Sequence, residues 1–451
     1  MKIPIIDINT ANSVADKIRF CFWAYLLLLI FEGALRKWIF PGLSDLFLVI
    51  RDPLVLYVTF MGLKYRLFRS NIINILIAFS IVNFMLSLIF GHHNLFVALY
   101  GTRITLFHIP SIFIFGKILT QKDIHLIGKT VLYISILMFF IVLLQYFSPK
   151  TAWINRGVGG IGTAGGSGIA GYMRPSGTFS FTSGMAGFEL LVGLFFFYFL
   201  CNNNRLNGRY KLKPVVLYIV AITFLFSIPL CLSRTVIFQT SLMFLLMLIC
   251  SLYVRGKIAK IISISFILIS VFFFLKNINA FNVAFENIFL RFEAASQSEG
   301  DVLEGTLGNR YFGTFYRAFF DTQNYSNKEI PFWGFGLGIG TKVGEAILNI
   351  RSEGHSFAFA EEEWSRIICE IGLFQGIFFL LGIRMFYPIY LVLNALKYVR
   401  KRKDVFLFMS IVPFLLYFVK NQWAVPTSLG FTVVLSTLFV AAYNRHNYYK
   451  L

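Results

Sequence analysis

The sequence predicts an all-α, polytopic integral membrane protein with about 12 transmembrane helices and one large loop outside the membrane. Of 451 residues, 57% are hydrophobic and only 14% charged, too few polar side chains to cover a water-soluble fold. Phenylalanine occurs 54 times against 21 Asp plus Glu, so lipid is the solvent for most of the chain. The apolar residues also fall in runs of spanning length, since a hydrocarbon core of roughly 30 Å takes about 20 helical residues.

Twelve such runs lie near 18–39, 45–63, 71–90, 95–117, 126–147, 183–201, 214–232, 236–254, 258–275, 366–396, 405–419 and 427–443. Alternate connections between them are basic: Lys64, Arg66 and Arg69; Lys117, Lys122 and Lys129; Arg205, Arg209, Lys211 and Lys213; Arg255, Lys257 and Lys260; Lys397 to Lys403. With both termini these segments hold 23 of the 41 Lys and Arg, which predicts that they and the termini are cytoplasmic. The net charge of +20 is therefore an orientation signal and gives no support for nucleic-acid binding. The five cysteines all lie in or at the ends of apolar runs with no CxxC pair, which argues against a disulfide framework or a zinc site. The polar and acidic N-terminus, without a small-residue cleavage site, argues against a cleaved signal peptide.

Two long connections are expected on the opposite, outward face of this single membrane domain: a Gly-rich loop over 148–182 and a larger loop over 276–365. Loops of that length are usually functional. The larger carries twelve acidic against seven basic residues. Within it Phe281, Phe285, Ile288, Phe289 and Phe292 recur at helical spacing, which predicts an amphipathic helix in the membrane interface. Tyr311, Phe312, Phe315, Tyr316, Phe319 and Phe320 form a second aromatic stretch, either lipid-facing and loop-packing or a stacking surface for sugar rings.

Several positions carry candidate chemistry. Gly157, Gly159 and Gly162 spell GxGxxG, but no βαβ unit can surround them, so they read as structural. Arg174-Pro-Ser-Gly-Thr-Phe opens the sixth span, and an arginine beside hydroxyls and backbone amides suits a phosphate or pyrophosphate; the alternative is an ordinary interfacial arginine. Arg234, in the short turn before the eighth span, adds a second outward cation. Arginines inside spans cost at least about 2.5–3.5 kcal/mol each, so they pair or function. Arg51, next to Asp52 and Pro53, reads as structural, and Glu32 and Arg36 as an i, i+4 salt bridge; for Arg103 both readings stand.

Where the large loop re-enters the membrane, Glu363, Arg366 and Glu370 share one helix face after Glu361 and Glu362. A carboxylate there can act as general base while an arginine holds a leaving phosphate; a charged helix start is the alternative. Upstream, Gly334, Gly336, Gly338 and Gly340 alternate with apolar residues, a pattern for close backbone approach.

In order and sidedness these features resemble the O-antigen ligase and O-antigen polymerase superfamily of bacterial envelope glycosyltransferases, over most of the chain. The matching residues are Arg174-Pro-Ser-Gly-Thr-Phe, Ser233-Arg234, Gly334-Phe-Gly-Leu-Gly and Glu370-Ile-Gly372. Glu32-Gly-Ala-Leu-Arg-Lys-Trp and Arg51-Asp-Pro are similar to blocks in polysaccharide-locus members. The resemblance implies a GT-C-like fold in the bacterial inner membrane, with both long loops periplasmic. It implies an enzyme, without metal or cofactor, that polymerises or transfers polyprenyl-diphosphate-linked oligosaccharide repeats in O-antigen, capsule or exopolysaccharide synthesis. Its partners would be that donor, a glycan acceptor, the lipid bilayer and other polysaccharide-assembly proteins.

On this reading Arg174, Arg234 and Arg103 bind the donor diphosphate, Glu361 or Glu363 activates the acceptor hydroxyl, and Arg366 stabilises the leaving group. Ligases of the group carry a His-Asn pair nine residues before the Glu of the ExG motif; Glu361 and Glu362 stand there, which favours a polymerase, with His355 the substitute base if the alignment slips. The alternatives are an O-antigen ligase acting on lipid A-core and a lipid-linked oligosaccharide flippase or transporter.

Overall fold

A computed structural model describes residues 8–65, 71–253, 258–299, 308, 313–320, 329–350 and 362–447. Among the described residues the structure is helical apart from one antiparallel hairpin, β1 (Gly166–Ile169) and β2 (Tyr172–Arg174). Among the described residues, ten helices are long and apolar enough to cross a membrane. The first eight are Asn12–Ile39, Pro41–Lys64, Asn71–Ile89, Leu95–Ile118, Gln121–Phe147, Thr182–Arg205, Gly208–Leu230 and Arg234–Leu252; the others are Leu373–Arg402 and Pro426–Arg445. An eleventh is the pair Leu268–Leu275 and Asn279–Ala294, bent by 100° at the break.

Against the expected twelve, ten or eleven helices among the described residues qualify as spans. All twelve apolar runs become helices; Val405–Lys420 is shorter than a usual span, and the ninth run, Ile258–Leu275, is followed at residues 276–278 by a sharp bend into the next helix. The protein is a multi-pass membrane protein associated with the lipid bilayer.

Helix starts follow local chemistry. Asn94 accepts from the Phe96 and Val97 amides, Thr120 and Asp123 form a capping box, and Asp404 accepts from the Phe406 and Leu407 amides. The sixth span is the centre of the bundle, with 94% of its apolar window buried. Small residues let helices close on one another: a Cβ on Gly187 would lie 2.6 Å from the Phe431 ring, and one on Gly116 2.5 Å from Val440.

Four π-helical turns interrupt these helices: Leu35–Ile39, Ile104–His108, Leu380–Phe386 and Leu416–Lys420. The first holds Arg36 and Lys37, the second follows Arg103 and ends at His108, and the third holds Arg384. The fourth lends its carbonyls, with Phe418 accepting from Arg384 and Val419 from Trp364. A π turn widens the helix and loosens its ladder, and such turns gather at functional sites. Here they coincide with the buried charge.

The amphipathic helix is present as Asn279–Glu299 and lies against the bundle: Phe281 meets Phe226 edge-on at 5.3 Å, Asn287 donates to the Tyr146 hydroxyl at 2.8 Å, and Phe289 stays exposed. The second aromatic stretch is described over Gly313–Phe320, where Phe315 and Phe319 pack edge-on against Trp364 while Tyr316 and Phe320 face outward. Tyr311 and Phe312 lie outside the described residues. In the GxGxxG segment Gly157 bonds the Gly162 carbonyl at 3.0 Å, closing its own turn, in keeping with a structural role.

The alternating glycines thread between the fourth span and the Glu363–Ile371 helix. Phe335 and Gly336 donate their amides to Cys369 and Glu370 carbonyls at 2.8 and 2.9 Å, capping that helix. Gly338 has φ +89°, and a Cβ there would lie 2.3 Å from the Val97 carbonyl and 3.0 Å from the Gly101 amide. Gly338→Ala is therefore expected to destabilise the protein by at least about 1–3 kcal/mol through backbone strain alone. Gly42→Ala, whose Cβ meets nothing within 4 Å, should stay within about 0.5 kcal/mol of the parent when thermal unfolding is compared in detergent.

Candidate functional site

Two polar assemblies lie in the bundle, and hydrogen bonds join them. The first is built on the Arg174-Pro-Ser-Gly-Thr-Phe segment. Lys37, 1% exposed, donates from Nζ to Ser176 Oγ at 3.1 Å and to the Gly177 and Phe179 carbonyls at 2.7 and 2.8 Å. Gln145 brackets Gly177 from the fifth span, accepting its amide at 2.8 Å and donating to its carbonyl at 3.1 Å. The Thr178 hydroxyl bonds the Ile30 carbonyl.

These contacts correct the expectation that the hydroxyls and amides of this segment are open to a phosphate. Ser176, Thr178 and the Gly177 amide are taken up within the protein. Their effect is mechanical: they fix the end of β2, and with it the half-buried Arg174, to the first and fifth spans. Arg234 is also half-buried and opens the eighth span. Arg174 lies eight residues before the sixth span begins at Thr182, and Arg234 begins the eighth; these two spans run in the same direction on either side of the seventh, so the two arginines share one end of the bundle.

Behind this end runs a network of buried ions. Glu32 accepts from Arg36 at 3.3 Å, the expected i, i+4 pair, and also from Arg51 at 3.0 Å. Arg36 donates further to Ser44 O at 2.8 Å and Ser180 Oγ at 3.1 Å, and Arg51 to Pro426 O at 2.9 Å. Asp52 does not pair with its neighbour Arg51, as the sequence suggests, but with Arg103. Successive residues of one helical turn point about 100° apart, which sends the two side chains to different neighbours.

Arg103 reaches both Asp52 oxygens through Nη1 at 2.7 Å and stacks 3.9 Å over the Tyr100 ring. Asp52 also accepts from His108 Nε2 at 2.9 Å, which leaves Nδ1 to accept from the Tyr25 hydroxyl at 3.1 Å. Arg103 is therefore paired inside the bundle, and its two sequence readings resolve toward pairing.

The second assembly is on the Glu363–Ile371 helix, where Glu363, Arg366 and Glu370 share a face as expected and are all buried. Arg366 bonds Glu363 Oε1 at 2.8 Å and Oε2 at 3.1 Å, and also Glu370 Oε2. Arg384, from the middle of the Leu373–Arg402 span, adds a bond to Glu363 at 3.0 Å and lies 4.0 Å over the Trp423 ring. Burial pushes the Glu363 carboxyl up, but Arg366 and Arg384 outweigh it and hold the group below its ordinary range.

With both oxygens committed to guanidiniums, Glu363 has little capacity left to accept a proton from a substrate. Arg366 likewise spends three nitrogens on carboxylates. Glu361 and His355, the other candidate bases, lie outside the described residues. The Ala424 amide bonds Glu363 at 3.4 Å, two residues before the Pro426 carbonyl that holds Arg51, so one short segment ties the two assemblies together.

No protein-family model, curated protein or solved structure matches this chain.

Proposed function

We propose that this chain is a membrane glycosyltransferase that joins polyprenyl-diphosphate-linked oligosaccharide repeats at the outer face of a bacterial inner membrane. The observation that carries the reading is the pair of half-buried arginines, Arg174 and Arg234, held at one end of a multi-pass helical bundle, with Arg174 on a mount stiffened by Lys37 and Gln145. Rigid cations at a water–lipid boundary suit a diphosphate whose tail stays in the bilayer. The order of motifs along the sequence supports the same class.

In the proposed reaction an acceptor hydroxyl attacks the anomeric carbon of the donor as its proton passes to a base. The bond from that carbon to the diphosphate oxygen breaks, and the electron pair leaves with the diphosphate. Arg174 and Arg234 stabilise the charge that develops there. Glu363 and Arg366 act in this scheme by fixing the re-entry of the large loop, and Glu361 is the candidate base. A repeat polymerase is the preferred form, since Glu361 and Glu362 replace the His-Asn pair of ligases.

Deleting the gene in its host and separating surface glycan on a gel tests this. Loss of long chains with single repeats retained fits a polymerase, and loss of every attached repeat fits a ligase. Surface glycan unchanged in length and amount, for lipopolysaccharide, capsule and exopolysaccharide alike, would overturn the proposal.

A further inference from the structure

The corner around the π turn Leu35–Ile39 has more positive charge than its neighbours balance. Glu32 is shared by two guanidiniums, Arg36 and Arg51, so one charge of the three is uncompensated. Arg51 is sealed inside, with its side chain 3% exposed and packed against Gly430, whereas Arg36 keeps 8% of its side chain exposed. Lys37, the next residue, meets only neutral oxygens. Both guanidiniums are buried, and Arg36 is the less enclosed of the two, so the excess charge is assigned to it.

Donor groups there also lack acceptors. Arg36 uses Nε and Nη1 on Ser44, Glu32 and Ser180, and its Nη2 has no partner among the described residues. Trp38 Nε1 is buried and likewise has none, while the Trp38 ring is held between the Lys37 ammonium at 4.6 Å and the Trp153 ring at 5.5 Å. The Gly-rich loop borders this corner, with Gly159 beside Ser44 and Gly160 beside Pro41. Ser180, bonded to Arg36, is six residues beyond Arg174 in the same segment.

We infer that this corner, formed by Arg36, Lys37, Trp38 and Ser180, binds a phosphoryl oxyanion. An unbalanced guanidinium with an open nitrogen, bonded to the Ser180 hydroxyl and followed two residues on in the same π turn by an unpartnered indole N–H, offers donors of the kind that a phosphate oxygen takes. As an extension of the diphosphate-binding end it rests on the proposed function, and it adds the first span to a site that Arg174 and Arg234 otherwise form alone.

The test measures binding without catalysis, using purified full-length protein in detergent and, separately, in nanodiscs. The probes are inorganic pyrophosphate, a short-chain polyprenyl diphosphate and nanodiscs enriched in anionic phospholipid. Arg36→Gln should weaken pyrophosphate binding about tenfold. Glu32→Gln removes the shared carboxylate and should tighten it several-fold, the opposite sign to what a merely structural salt bridge would give. Arg36→Lys should restore part of the loss, and thermal unfolding of each variant controls for folding.

Tighter binding of the polyprenyl diphosphate than of pyrophosphate identifies a lipid-linked ligand, and equal binding a free phosphate. Equal weakening in Arg36→Gln and Glu32→Gln, or binding of the anionic bilayer alone, overturns the assignment. Because no glycan is made in this assay, pyrophosphate binding that responds as described would stand even if the deletion strain kept its surface glycan.

Discussion

Arg366→Met is expected to cost the folded protein about 3–5 kcal/mol, the usual result of removing one partner from a buried ion pair. Arg366 alone bridges Glu363 and Glu370, both at most 4% exposed. Without it Glu363 keeps Arg384, but among the described residues Glu370 keeps only the Gly340 amide at 3.1 Å. The second carboxylate is then a nearly bare charge in an apolar setting. Adding Glu370→Gln to Arg366→Met should recover part of the loss, because the orphaned charge goes with it. Thermal unfolding in detergent measures both, and a single variant as stable as the parent would contradict the cluster as drawn.

The same cluster sets a direction with pH. The carboxyl of Glu363 is depressed from its ordinary value of 4.5, so its contribution to stability is present above that value. It disappears as the pH falls through the lower folded value, and unfolding at acid pH should show this in the parent.

Arg174→Ala and Arg234→Ala are each expected to slow glycan transfer by about 10²–10³, the range seen when one donor to a developing oxyanion is removed. Stability should change little, since both side chains are half-buried at the end of the bundle and the mount of Arg174 is made by Lys37 and Gln145. The double variant should not fall by the product of the two effects, because residues that hold one group act as a unit. Parent-like transfer rates in both single variants would remove these arginines from the proposed diphosphate site.

Much of the fold was legible in the sequence because apolar runs of spanning length leave few alternatives: every one of the twelve is a helix. Two local features separate the expected twelve from the ten or eleven spans among the described residues. Residues 276–278 turn the chain through 100°, and the Val405–Lys420 helix stops at Asn421, where its last carbonyls are taken by Arg384 and Trp364. Neither event shows in hydropathy.

Charge placement was legible and charge partnership was not. Glu363, Arg366 and Glu370 fell on one face because i, i+3 and i+7 fix that within a helix. Arg384 was missed although an arginine within Leu-Gly-Ile-Arg-Met-Phe is an intramembrane charge that demands a partner; the partner, Glu363, is 21 residues away. Lys37 lay unremarked beside Arg36, and its three acceptors are about 140 residues distant. Asp52 finds its partner in Arg103 of the fourth span and not in the adjacent Arg51.

Glycan polymerisation is measured most directly on purified protein reconstituted in vesicles and supplied with a polyprenyl-diphosphate-linked repeat unit. A ladder of lengthening lipid-linked glycan is expected, with one polyprenyl diphosphate released for each bond formed. Folded, reconstituted protein that moves the lipid-linked repeat across the membrane without lengthening it, or that leaves it untouched, would rule out the proposed polymerase.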